Sequence, residues 1–169
     1  IRRQRQMCIR DSERTEVELP EAKRRVELYY KPYHQQLEKL LSETKKKFGK
    51  VLLWDAHSIR QSVPTIHKEK FPDLILGDAD STSALPGLIE TTLHVLNHST
   101  YSVSHNHPFK GGYITRHYGK PSTNQQALQL EMSKVNYLDD EEKKYDKARS
   151  DKMRELLKQV FVKLIEQLA

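Results

Sequence analysis

The sequence predicts a layered α/β domain, and three observations carry that prediction. Apolar runs of strand length at 51–56, 71–77 and 127–131 alternate with segments of helical periodicity. The segment 151–168 repeats apolar residues every three or four positions, as a helix packed on a sheet does. Strand runs also stop at residues that carry chemistry, the first at Asp55-Ala56-His57. A polar residue at the carboxyl end of a buried strand is where α/β proteins bind ligands. With 169 residues the chain is long enough for one domain with a real core and short for two.

Residues 1–12 show no useful periodicity and begin without methionine, so they read as a non-native or disordered leader, and residues 13–169 as a single, partial domain. A helix is expected over 21–47, with Val26, Tyr30, Tyr33, Leu37, Leu40 and Leu41 on one face, a kink at Pro32 and a C-cap at Gly49. The strand 51–56 follows, then a histidine-bearing loop and the strand 71–77. Ser83 is the expected N-cap of a helix over 84–97. Residues 101–104 alternate like a strand, 108–112 form a loop around Gly111-Gly112, and 113–118 are expected to be a strand. The strand 127–131 would carry Glu131 to its carboxyl end, and Met153, Leu156, Leu157, Val160, Phe161, Leu164, Ile165 and Leu168 form the stripe of the closing helix.

Charge and composition exclude several classes. The formal charge is +6, but half of it lies in the first twelve residues, and the rest is spread over helices that interleave Glu and Lys. Lys45-Lys46-Lys47 sits where a helix end favours cations. No interleaved aromatic and basic platform supports nucleic-acid binding. No stretch approaches the roughly 18 apolar residues of a membrane span. The single cysteine, Cys8, cannot form an internal disulfide, and a cytoplasmic setting is the default expectation.

Seven of the eight histidines fall between 57 and 117. His57 and Glu131, each at the end of an expected strand, form the sharpest pair: an imidazole suited to zinc and a carboxylate suited to take a water proton. A structural histidine and a solvent-facing glutamate are the alternative. Asp55 would share a face with His57 and orient it, or cap the loop. Arg60 and Arg116 suit bidentate carboxylate binding. Asn106, His107, Lys110 and His117 crowd the same glycine-rich region. His67, His94, His98 and His105 read as ordinary structural or surface residues.

The blocks Tyr30-Lys31-Pro32-Tyr33-His34, Leu53-Trp54-Asp55-Ala56-His57-Ser58-Ile59-Arg60, Pro72-Asp73-Leu74-Ile75-Leu76-Gly77, the run from Asn106 to Pro121, and Ala127-Leu128-Gln129-Leu130-Glu131-Met132 stand in one order. In that order they resemble the N-formylglutamate amidohydrolases (N-formylglutamate deformylases) over about residues 21–168. The resemblance implies a three-layer α/β/α fold with a mixed, mostly parallel sheet, zinc-carboxypeptidase-like (phosphorylase/hydrolase-like). It implies a zinc-dependent amidohydrolase that splits N-formyl-L-glutamate, or a related N-acyl amino acid, into formate and L-glutamate in histidine degradation. His57 would be a zinc ligand, Glu131 the general base, and Arg116 a holder of substrate carboxylate or oxyanion. Arg60, Asn106, Lys110, Gly111 and Gly112 would bind substrate. The family's other zinc ligands lie in an N-terminal segment that residues 1–20 do not match, so the expectation is an N-terminally truncated, inactive fragment. A non-catalytic module binding acidic amino acids through Arg60, Lys110 and Arg116 is the competing reading.

Overall fold

The computed structural model describes residues 18–169, so the leader expected over 1–12 lies outside the described residues. Contacts divide the chain into two compact units, one up to Val51 and one from Leu52 onward.

In the first unit, α1 (Leu19–Arg25) passes through a π-helical turn (Val26–Tyr30) into α2 (Lys31–Phe48). The interruption expected at Pro32 is real and has a definite form. Pro32 stands in the first turn of α2, where its missing N–H costs nothing, and the wider π turn precedes it. Gly49 closes α2 at φ 78°, its N–H donating to the Lys45 carbonyl at 2.7 Å.

The second unit is built on a four-stranded sheet of order β1-β4-β2-β3, with β1 Val51–Ile59, β2 Leu74–Gly77, β3 Val103–His105 and β4 Gln125–Ser133. β2 runs parallel to β3 and antiparallel to β4, so the sheet is mixed. Period-two alternation sorts its side chains. Leu74 and Leu76 of β2 and Leu128 and Leu130 of β4 enter one core with Leu88, Ile89 and Leu96 of α3 (Pro86–Asn97). Met153, Leu156, Val160 and Leu164 of α5 (Lys147–Leu168) complete that core. Leu52 and Trp54 of β1 pack against it, and Trp54 meets Phe161 edge-on at 5.2 Å between centroids. The opposite face carries Asp55 and His57 on β1, Ile75 and Gly77 on β2, and Gln129 and Glu131 on β4. Over that face lies α4 (Tyr113–Tyr118), which packs on β4. Helices on both faces of a mixed sheet give the α/β architecture expected from the sequence.

Several elements differ from expectation. Residues 113–118 are a helix, not a strand; Thr115 and Tyr118, three apart, are the two buried positions, which is helical spacing. The strand expected over 127–131 extends to Ser133, so Glu131 stands inside β4 rather than at its end. β1 likewise continues to Ile59, taking His57 into the strand. Ser83 does not cap α3. Its hydroxyl donates to the Ala127 carbonyl at 2.7 Å, and α3 begins after Leu85 with Pro86 in its first turn. α5 starts earlier than expected, where Asp146 accepts from the Arg149 N–H.

Candidate functional site

β1 and β4 are neighbours, and their alternation puts Asp55, His57, Gln129 and Glu131 on the face turned away from the leucine core. His57 Nε2 lies 3.0 Å from Asp55 Oδ1. That hydrogen bond, above all, raises the His57 pKa, with burial opposing it and the charges of Asp55 and Glu131 adding. Glu131 is only 3% exposed. Burial pushes its pKa up to about 7, with Asp55 reinforcing the shift and His57 and Lys134 opposing it. A carboxyl poised near neutrality beside a fixed imidazole can both accept and return a proton.

Three buried side-chain oxygens lack a partner among the described residues: Asp55 Oδ2, Ser133 Oγ and Thr115 Oγ1. Asp55 and Ser133 alternate onto the same face as Glu131, and Thr115 belongs to the helix above it. Buried polar atoms are nearly always satisfied, so each of these oxygens has room for a partner from outside the chain, water included. The donors do not by themselves close a metal site. Among the described residues no three His, Cys, Asp or Glu side chains converge to hold an ion.

The substrate-binding candidates gather at the carboxyl end of β2. Gly77 permits the tight approach: a Cβ there would lie 2.6 Å from Gly111 N. Gly111 has φ 102°, and a side chain on it would strike Thr115. Gly112 N donates to Gln129 Oε1 at 2.8 Å, which ties the turn to β4 two residues from Glu131. Arg116 Nη1 donates to Gly111 O at 2.8 Å. Lys110 Nζ lies 2.9 Å from Asp80 Oδ2, an exposed pair. Asn106, at φ 56°, accepts from Asp78 N and donates to Asp78 Oδ1 at 2.6 Å. Arg60 is held elsewhere. Its Nε donates to Glu142 Oε2 at 2.7 Å, and Glu142 also accepts from Gln61 N.

Asp78 is the residue that sequence reasoning missed. Fully buried, it accepts from Ser81 N and Asn106 Nδ2 on one oxygen and pairs with His105 Nε2 at 2.7 Å on the other. It anchors Ala79, Asp80 and Ser81, three successive residues with φ between 56° and 63°, a conformation costing non-glycine residues about 1–2 kcal/mol each. The rule that singled out His57, a polar residue directly after a buried strand, would have found Asp78 after Gly77. Gln129 was also missed, although it stands two residues before Glu131 and so on the same face.

Comparisons with known proteins agree on one relationship. The family model of the N-formylglutamate amidohydrolases matches residues 3–138. N-formylglutamate deformylase of Pseudomonas putida is 42% identical over 123 residues, which are 72% of this chain and 46% of that protein. The Pseudomonas aeruginosa enzyme of the same name is 41% identical over 112 residues, 65% of this chain and 42% of that one. The crystal structure of N-formylglutamate amidohydrolase from Ralstonia eutropha superposes with a TM-score of 0.78 at 25% identity, covering 90% of this chain and 56% of its own. A gene product of Agrobacterium tumefaciens shares the fold, with a TM-score of 0.68 at 15% identity over 90% of this chain and 57% of that one. The chain thus spans less than half the length of the two curated relatives.

Proposed function

The chain belongs to the N-formylglutamate amidohydrolase family, and from that premise we propose that the protein hydrolyses N-formyl-L-glutamate to formate and L-glutamate. The observation that carries the reading is Glu131, a buried carboxyl titrating near neutrality on the face it shares with His57. Hydrolysis of a formamide takes a proton from water and delivers one to the departing amine. Glu131 suits both, since burial raises its pKa toward neutrality. Asp55 fixes the imidazole of His57. Arg116 and Lys110, near the Gly111-Gly112 turn, supply the cationic recognition that a dicarboxylate substrate requires. Arg60, bound through its Nε to Glu142, is left out of this recognition.

His57 is the zinc donor we assign to this chain. The described residues do not complete a ligand set, so the remaining donors would come from outside them. Zinc, where bound, would acidify a water and polarise the formyl carbonyl. A cytoplasmic setting and a place in histidine degradation belong to the same proposal, and a single cysteine, which allows no internal disulfide, agrees with the first. No helix among the described residues is long and apolar enough to cross a membrane.

The test is formate release from N-formyl-L-glutamate by a protein of the relatives' length carrying these residues, beside its Glu131→Gln variant. The expected loss is about 10²–10⁴-fold with the bound zinc unchanged. Full activity in the variant would remove Glu131 from the reaction.

A further inference from the structure

Away from the sheet face, α3 ends in a pair of histidines one turn apart, His94 in its last turn and His98 at its C-cap. Their rings approach to 4.1 Å between centroids, tilted by 43°. Both residues are exposed. We propose that His94 and His98 form a second metal site, a two-imidazole chelate for a divalent transition ion such as Ni²⁺, Cu²⁺ or Zn²⁺.

Three features support it independently of the reading of His57. First, the spacing of four places both imidazoles on one stripe of the helix, within reach of a single ion. Second, His98 Nδ1 lies 2.7 Å from the His94 carbonyl. A carbonyl can only accept, so Nδ1 carries the proton and Nε2 presents its lone pair outward. This is the usual support of a metal-binding imidazole, one ring nitrogen donating to a fixed oxygen and the other left to coordinate. Third, the site lies at a helix C-terminus, where the carbonyl ends of the peptide dipoles favour a cation. Glu90, one turn before His94 and also exposed, adds negative charge to the same stripe. Nitrogen donors in this number select borderline ions over Mg²⁺ or Ca²⁺, with water filling the other positions. The ion would clamp the last turn of α3, which carries Leu96 into the core, and would raise stability through linkage.

The experiment is a Ni²⁺ titration of the full chain carrying His57→Ala, followed calorimetrically and by paramagnetic broadening of histidine ring signals. The expected result is binding of one ion, with His94 and His98 broadened first and an upward shift in Tm. Adding His94→Ala or His98→Ala should weaken it at least as much as losing an outer partner of a ligand does, roughly tenfold or more. Circular dichroism confirms that both variants fold, which their exposure favours. Binding unchanged in the His94→Ala/His98→Ala double variant, or no Ni²⁺ binding in the parent, overturns the proposal. If His57→Ala abolished binding while His94 and His98 stayed intact, the pair would likewise be excluded and the sheet-face site would account for the metal.

Discussion

An aspartate holds a histidine twice in this fold, and the two pairs do opposite things. Asp78 meets His105 at 2.7 Å, and Asp55 meets His57 at 3.0 Å. Both oxygens of Asp78 are engaged: a backbone N–H, an asparagine amide and an imidazole all converge on it. Asp55 keeps a buried oxygen without a partner, and the groups beside it, His57 and Glu131, are driven away from their ordinary titration ranges. A satisfied network fixes a loop; an incompletely satisfied one, with displaced titrations, is prepared to bind and to move protons. Chemically similar pairs are told apart by what remains unspent around them.

The largest effect that sharpens this contrast is expected at Asp78. Asp78→Ala should lower unfolding stability by about 3–5 kcal/mol, because it removes three hydrogen bonds to a buried carboxylate and releases the left-handed turn. Asp55→Asn should cost far less. Urea denaturation of the two variants measures both, and equal losses would erase the distinction.

Next is the pH response of the metal-free chain. The Glu131 pKa rises from 4.5 in the unfolded chain to about 7 in the fold, so the fold favours the protonated acid. Its contribution is fully present below pH 4.5 and is lost as the pH climbs through 7. Glu131→Gln cannot ionise. The variant should match the parent at pH 4.5 and exceed it at pH 8 by up to roughly 3 kcal/mol, the equivalent of that shift. Urea midpoints at the two pH values, taken with a chelator present, read the difference. A pH-independent gap would mean that burial does not set this group.

The smallest effect is expected at Lys110. It and Asp80 are both 59% exposed, so Lys110→Ala should change stability by less than about 1 kcal/mol. In a protein of the relatives' length the same change should raise KM for the dicarboxylate more than it lowers kcat.

Much of the framework was legible because its periodicities are clean. The stripe from Met153 to Leu168 is a helix, and the alternation around Leu128 and Leu130 sets which way Glu131 faces. The misreading of residues 113–118 has a local cause. Ile114 and Thr115 are β-branched, and six residues are too few for a helical period to stand out. What decided the outcome was tertiary: the Gly112 N–H is tied to Gln129, and Thr115 and Tyr118 are buried. The engagement of Arg60 by Glu142, 82 residues away, leaves no trace in spacing. Histidine content directed attention to His57 but gave no hint that His105 pairs with a buried aspartate. The full burial of Asp78 and the unpartnered oxygen of Asp55, neither of which spacing shows, distinguish them.

The strand order β1-β4-β2-β3 bears on how such a chain is made. Of the four described strands, the latest in the chain is the one that lies between β1 and β2. While the ribosome is still short of residue 125, those two earlier strands have no bridge between them, and each presents bare backbone to its surroundings. Pairing across such sequence separations is slow and exposes intermediates to aggregation. Emergence of β4 joins β1 to β2 and in the same event carries Glu131 to its place. A nascent chain of this order would therefore gain the bridge between β1 and β2 and the placement of Glu131 together, as β4 emerges.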